Sequence, residues 1–283
     1  MSTEASLRAA DAGLPRVGRR PTLAGYGLEL WRRRQLTAEL ARSRFRAENE
    51  ANRLGMAWIV IRPLLNAGVY GVVFGLLLRS STRPDNFVPF LVIGIFVFQF
   101  FAGCLTDGAR AITGNVGLVR TLSFPRAVLP LSLVLQNVLA LVPMMLTAVV
   151  LVPVFGEPLR WSWLLALPAL GLLVLFTTGV ALASARLTLH VRDVTQLIPF
   201  VTRLLFYISG IFFSIDRIGL PPAAELVARL NPVQVYITLV RSGFLTEVEA
   251  TSGTWLLGVG WAVLALVVGA LFFWAAEERY GRV

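Results

Sequence analysis

The chain has 283 residues, of which 56% are hydrophobic and only 15% charged, more apolar surface than one soluble core of this length can hide, so it reads as a polytopic membrane protein. Its formal net charge of +10 rests on 26 basic residues that are all arginine. The missing lysine excludes a Walker A phosphate loop and a Schiff base; one histidine, His190, and one cysteine, Cys104, exclude a Cys/His metal cluster, an internal disulfide and most histidine-dependent nucleophilic chemistry. Cys104 lies in an apolar run, where a packing role is expected.

Residues 1–56 hold 11 arginines against 6 acids ahead of the first uninterrupted apolar run, a pattern unlike a cleavable signal peptide. Residues 1–27, rich in Gly, Pro and Ala, are expected to be flexible. From 28 to 53 there is no Pro or Gly, and Leu28, Trp31, Leu36, Leu40 and Phe45 alternate with Arg32, Arg33, Arg34, Arg42, Arg44 and Arg46. This pattern predicts an amphipathic helix over 28–56 lying along the lipid headgroups, where arginine stems snorkel and anionic lipid attracts each charge by about 1 kcal/mol. A solvated basic tail is the alternative.

Six spans are predicted, at 57–78, 87–109, 127–155, 161–185, 194–213 and 255–276, each near or above the roughly 20 apolar residues that a bilayer needs. The third carries Pro130, Pro143 and Pro153 and is expected to tilt or kink. Arginine is concentrated in the N-terminal region and at Arg110, Arg120, Arg126, Arg186, Arg192, Arg279 and Arg282, whereas the short loops of the other side hold only Arg79, Arg83 and Arg160. The positive-inside rule therefore puts both termini in the cytoplasm. Between the fifth and sixth spans, residues 214–254 contain two short apolar stretches, 222–230 and 233–245, divided by Asn231-Pro232. Lengths of this kind suit re-entrant or interfacial half-helices in the outer leaflet, with a folded external loop as the other possibility. No internal repeat is visible, so an inverted-repeat carrier finds no support.

Asp107 is the only carboxylate within a predicted span, and it lies near the cytoplasmic end. That scarcity argues against proton or sodium coupling. Arg203, ten residues into the fifth span, faces the interior or snorkels; Asp193 and Asp107 are its candidate partners, and an anionic substrate is the sharper option. Arg62 is read as a snorkelling interface residue. Tyr70 and Phe74, then Phe90, Phe98 and Phe101, then Phe206 and Phe213 recur at helical spacing in the first, second and fifth spans. They are either packing residues or flat surfaces over which sugar rings slide.

Between spans two and three, residues 110–126 form a short basic segment with Asn115, Leu118, Arg120 and Phe124-Pro125-Arg126. That segment, together with Arg44-Phe45-Arg46, Leu54-Gly55, Trp58 and Pro63-Leu64, then Arg192-Asp193-Val194, then Asn231-Pro232, Tyr236 and Arg241, resembles the permease subunits of ABC-2 exporters for polysaccharides and teichoic acids, the Wzm and TarG type. The resemblance implies a homodimer of all-α, six-span permeases with two copies of a separate ABC ATPase, which carries the ATP and magnesium; this chain itself would hold no cofactor or catalytic residue. It implies that residues 110–126 are the coupling segment seated in the ATPase, assisted by the loop at His190, Arg192 and Asp193, with Arg120 and Arg126 paired to acids of the ATPase. It also implies a surface helix around Trp31, Arg44, Phe45 and Arg46, half-helices shaping the exit, and a pathway along spans one, two and five. The cargo would be a lipid-linked glycan of O-antigen, teichoic acid or galactan type; membrane lipids are partners and nucleic acid is not. A drug or lipid exporter of the same superfamily, or a membrane-embedded glycosyltransferase, are the alternatives.

Overall fold

A backbone in hydrocarbon must satisfy its own hydrogen bonds, and the long apolar runs accordingly fold as helices. The computed structural model describes residues 22–50, 54–77, 84–121, 124–219 and 221–277, and among these no strand occurs. Two helices precede the bundle, α1 (Leu23–Arg32) and α2 (Arg34–Glu50), followed by α3 (Ala57–Leu77) and α4 (Phe87–Arg110). A 3₁₀ turn (Thr113–Asn115) and α5 (Val116–Thr121) lead to α6 (Val128–Val154); a second 3₁₀ turn (Trp161–Leu165) leads to α7 (Ala166–His190). The remaining elements are α8 (Val194–Ile208), α9 (Ile215–Ile218), α10 (Pro222–Leu230), α11 (Pro232–Phe244) and α12 (Ser252–Trp274).

Among the described residues five helical segments are long and apolar enough to cross a membrane, at Ala57–Gly75, Phe87–Arg110, Val128–Val154, Trp161–His190 and Ser252–Trp274. The predicted fifth span, 194–213, is corrected: its helix stops at Ile208 after 15 residues, about 22 Å at 1.5 Å per residue. Ser209-Gly210 turns the chain there, with Gly210 at φ +64°, a conformation that favours glycine. The fourth is longer at its far end than expected, continuing to His190. The predicted flexible segment 1–27 is corrected at its end, where Thr22 caps α1 by accepting from the Gly25 N–H at 3.3 Å; residues 1–21 lie outside the described residues. The single predicted helix over 28–56 is two helices that meet at Arg33.

At the centre lies α4, buried along most of its length and touching α3, α6, α7, α8 and α11. By contrast α3 leans on α4 and leaves Leu65, Val69, Val72 and Val73 exposed. The most extensive pairing is α7 with α12. Gly179 and Gly269 permit it, because a methyl group on either would overlap the backbone of the facing helix, the close approach that small residues allow between membrane helices.

The Tyr26 hydroxyl meets the Glu277 carboxylate, so the described chain starts and finishes at one end of the bundle. α8 ends toward the opposite end, where the carbonyls of Gly210 and Ile211 share the Arg241 guanidinium with that of Phe90 in the first turn of α4.

Candidate functional site

Three constellations gather the chemistry-bearing residues. The first is at the end where the chain starts and finishes. After α4 the buried pair Ala111-Ile112 anchors the predicted coupling segment, and Val119, Phe124 and Pro125 are buried behind it. Leu118 is half-buried, while Gly114, Gly117 and Thr121 face outward. Asn115 shapes the turn by donating to the Ala111 carbonyl at 2.8 Å, and its Oδ1 accepts from Arg44 Nη2 at 2.8 Å. Arg44 Nη1 donates to Ser132 Oγ at 2.9 Å, so one guanidinium ties α2, the coupling segment and α6 together. Burial pulls Arg44 below its ordinary value, and nearby Asp107 opposes that shift.

Beyond α12, Glu277 is buried and accepts from the Tyr26 hydroxyl at 2.9 Å and from the Arg126 backbone N–H at 3.0 Å. The same hydroxyl accepts the Ala127 N–H at 3.2 Å. Burial holds Glu277 above the usual carboxylate range against these donors. The Arg126 guanidinium lies 3.6 Å from Glu277. An internal carboxylate thus already faces Arg126 within the chain. The Arg120 side chain lies outside the described part of the structure. His190, Arg192 and Asp193 are exposed in the turn between α7 and α8. Of the predicted surface-helix residues, Arg46 is exposed, Phe45 is half-buried, and Trp31 is 66% exposed beneath the Arg34 guanidinium at 4.9 Å.

The second constellation is aromatic. Phe206 of α8 lies 5.3 Å from Tyr70 of α3 and 5.0 Å from Phe98 of α4 by ring centroids. Phe212, beyond the α8 turn, stacks on Phe74 at 4.1 Å and meets Tyr70 edge-on at 5.2 Å. The structure thus brings together rings of the three predicted pathway helices. Phe101 is buried and stacks on Phe176 of α7 at 6.1 Å, and Phe90 is buried under Arg241, so both are packed inside one chain. Phe213 does not continue the Phe206 face, because the helix has ended; it borders an outer cavity instead. Arg203 is exposed on α8, as the snorkelling alternative expects, and Asp107 is hydrogen-bonded to Asn137 at 2.8 Å.

The third is a lock at the end of the bundle opposite Glu277. Arg241, 3% exposed, is the charged side chain that α11 carries into the core. It donates to the carbonyls of Phe90 (Nε, 3.0 Å), Gly210 (Nη1, 2.7 Å) and Ile211 (Nη2, 2.9 Å) and lies 3.3 Å from the Phe90 ring centroid. Gly94 leaves the space for it; a methyl there would overlap the guanidinium. Asn231 caps α11 through the Val233 N–H at 3.1 Å and donates to Ser209 at 2.9 Å. Tyr236 donates to the Gly258 carbonyl of α12 at 2.8 Å. Around this lock, buried Glu157 accepts from Asn86 and from the Thr246 N–H, and Arg217 bridges Asp85 and Glu247 at 3.1 and 3.3 Å.

Sequence reasoning overlooked Tyr26, Glu277, Glu157 and Phe212 as site residues. An acid just beyond the last apolar run was the available signal for Glu277, and an arginine inside a 13-residue apolar helix was the one for Arg241's load. Among the described residues no three His, Cys, Asp or Glu side chains gather as a metal site needs.

Residues 36–245 match the family described as ABC-2 type transporter. The O-antigen export system permease protein RfbA of Klebsiella pneumoniae is 29% identical over 239 residues, covering 83% of this chain and 89% of the relative. A second Klebsiella pneumoniae protein of that name is 28% identical over 77% of this chain and 83% of the relative. The Myxococcus xanthus protein of the same name is 25% identical over 76% and 82%.

Proposed function

Because the chain belongs to the ABC-2 type transporter family, we propose that it is the permease subunit of an ATP-driven exporter moving a lipid-linked polysaccharide, of O-antigen, teichoic acid or galactan type, across the cytoplasmic membrane. One observation carries this conclusion: relatives named as O-antigen export permeases align with it along most of both chains. The complex pairs two copies of this chain with two copies of a separate ABC ATPase, which holds the ATP and magnesium. Both termini are cytoplasmic, α8 and the turn beyond it make the sixth crossing, α1 and α2 lie along the headgroups, and α10 and α11 form the outer re-entrant pair.

Closure of the ATPase dimer pushes on α5 and its flanks. Gly114, Gly117 and Thr121 offer the outward surface for this contact, while Val119, Phe124 and Pro125 transmit the force because they are packed under α6 and α12. A packed core transmits displacement rather than absorbing it. His190, Arg192 and Asp193, exposed at the neighbouring turn, form a secondary contact. Tyr70, Phe74, Phe98 and Phe206 lie toward the path between protomers, with exposed Arg203 at its side. Rings without fixed hydrogen bonds hold a glycan while letting it slide.

The test is reconstitution of the purified permease with its ATPase in proteoliposomes. A lipid-linked glycan should stimulate ATP hydrolysis where hydrophobic drugs do not, and a cysteine replacing Gly117 should cross-link to the ATPase. Stimulation by drugs alone would move the protein to the drug-exporting branch. Failure of the ATPase to bind at all would remove the proposal.

A further inference from the structure

A cavity of about 600 Å³ opens between α2, α3, α4 and α6 at the end of the bundle that carries the chain termini. Its lining includes no residue of the coupling segment and none of the rings grouped around Phe206. Four acceptor-bearing side chains from three helices converge on it. Glu48 Oε2 accepts from Gln136 Nε2 at 2.7 Å, and Asp107 Oδ2 accepts from Asn137 Nδ2 at 2.8 Å, so each carboxylate has one oxygen engaged. Gln99 Oε1 and Gln136 Oε1 are buried and accept nothing from the protein. Turning the Gln136 amide over would only set its oxygen against the Glu48 carboxylate. An orphaned buried acceptor costs about 1–3 kcal/mol, so an occupant that supplies donors is favoured there.

The rest of the wall limits what that occupant is. Ile59, Leu141 and Met144 are apolar, and water filling the space would wet them. Arg62, whose guanidinium is 5.6 Å from the Trp58 ring centroid, also borders the cavity and forms no ion pair among the described residues. An arginine inside a membrane-spanning helix calls for an anion, and guanidinium suits phosphate. The wall therefore presents one cation beside an aromatic ring, two carboxylates with two unpaired amide oxygens, and an apolar strip.

We infer that this cavity binds an amine-bearing phospholipid of the adjacent leaflet, of the phosphoethanolamine headgroup class. Its phosphate sits against Arg62 and Trp58. Its primary ammonium, with three donors, reaches Glu48, Asp107 and the Gln136 carbonyl, and an acyl chain follows Ile59, Leu141 and Met144. A phosphocholine headgroup has no N–H to give. The phosphates of phosphoglycerol and of diphosphate-linked sugars would also meet Arg62, but neither head group brings a cation to the two carboxylates, so the site is distinct from one for the proposed cargo.

The experiment uses the full-length protein, delipidated and returned to nanodiscs of phosphatidylethanolamine mixed with phosphatidylcholine or phosphatidylglycerol, with native mass spectrometry of the lipid that stays bound. Phosphatidylethanolamine should be retained preferentially. Glu48→Gln and Arg62→Gln should each lower its retention about tenfold, the effect of losing one charge-assisted hydrogen bond. Glu48 is exposed on α2, and an unchanged melting temperature of Glu48→Gln in pure phosphatidylcholine establishes that this variant is folded. Equal retention of phosphatidylcholine, unaltered retention by the folded Glu48→Gln variant, or displacement by a diphosphate-linked glycolipid at equal concentration would each overturn the assignment.

Discussion

The two ends of the bundle bury ionisable groups in different ways. At the end proposed to face outward, Arg241 directs its donors to backbone carbonyls of α4 and of the turn after α8. At the end proposed to face the cytoplasm, Glu277 joins the Tyr26 side chain and the Arg126 backbone, which belong to elements 251 and 151 residues away. A guanidinium held by carbonyls fixes where a helix stops and where another begins. A carboxylate shared by α1, the segment before α6 and the chain beyond α12 ties together three elements far apart in sequence. The difference matches the duties proposed for the two ends: a shaped exit, and a joint that receives force.

The largest effect is expected at the outer lock. Arg241→Gln leaves at least one buried carbonyl without its donor and should cost about 3 kcal/mol or more, read as a loss of melting temperature in detergent and loss of export. Arg241→Lys should recover little, because an ammonium is a compact charge and cannot present a planar fork to three carbonyls. Gly94→Ala should approach the same phenotype, since the new methyl occupies the guanidinium's space. Wild-type stability in Gly94→Ala would show that the guanidinium does not need this path.

The link between the two ends comes next. α12 receives the Tyr236 hydroxyl at Gly258 and leads to Glu277, and its register against α7 depends on Gly179 and Gly269. Gly179→Ala should cost about 1–3 kcal/mol as overpacking and should disturb both ends together. Native-state hydrogen exchange would detect this as faster exchange in α11 and in α5; a change confined to one end would mean that α12 does not join them.

The spanning helices were legible because 20 apolar residues admit few other fates, and Asn231-Pro232 marked the α10 to α11 boundary because proline favours a helix start. The end of α8 was not legible. The apolar run continues through Ile211, Phe212 and Phe213, and the residue that holds the turn beyond the helix, through the Gly210 and Ile211 carbonyls, lies about thirty positions later. For the same reason insertion cost drew notice to Arg203, which is exposed, while Arg241 is the one enclosed. In the segment proposed for coupling, the fastening of Arg126 and Ala127 to Glu277 and Tyr26 is a contact between distant parts of the chain that no local pattern carries.

A smaller loss of stability and a larger loss of coupling are expected at the inner joint. Tyr26→Phe removes a hydroxyl that donates to Glu277 and accepts from Ala127, worth about 1–2 kcal/mol. ATP hydrolysis should continue with little transport, so the ratio of export to hydrolysis is the measurement. Burial raises the Glu277 carboxyl above its ordinary value. The native state therefore holds that proton more tightly than the unfolded chain, and the associated stabilisation is complete below the ordinary carboxylate value and fades as pH rises through the raised one. Glu277→Gln should flatten this step in the pH dependence of melting; an unchanged profile would place the titration elsewhere.

The smallest effect is expected where the outer lattice is most exposed. Asp85 is held below the usual carboxylate value by its hydrogen bond from Arg217, and Arg217 is raised by the same partner. Here the sign is opposite to that of Glu277: the contribution is present above the ordinary carboxylate value and fades as pH falls through the depressed one. Asp85 is open to solvent, where ion pairs are screened and weak, while Arg217 keeps Glu247 as a second partner. Acidification should thus loosen α9 without releasing α11, whose hold depends on carbonyls that do not titrate. Hydrogen exchange at 215–219 should rise in acid in the wild type and be elevated at all pH values in Asp85→Asn, with α11 unaffected in both. If α11 opened together with α9, the outer end would be a titrating joint like the inner one, and the contrast between the two ends would fail.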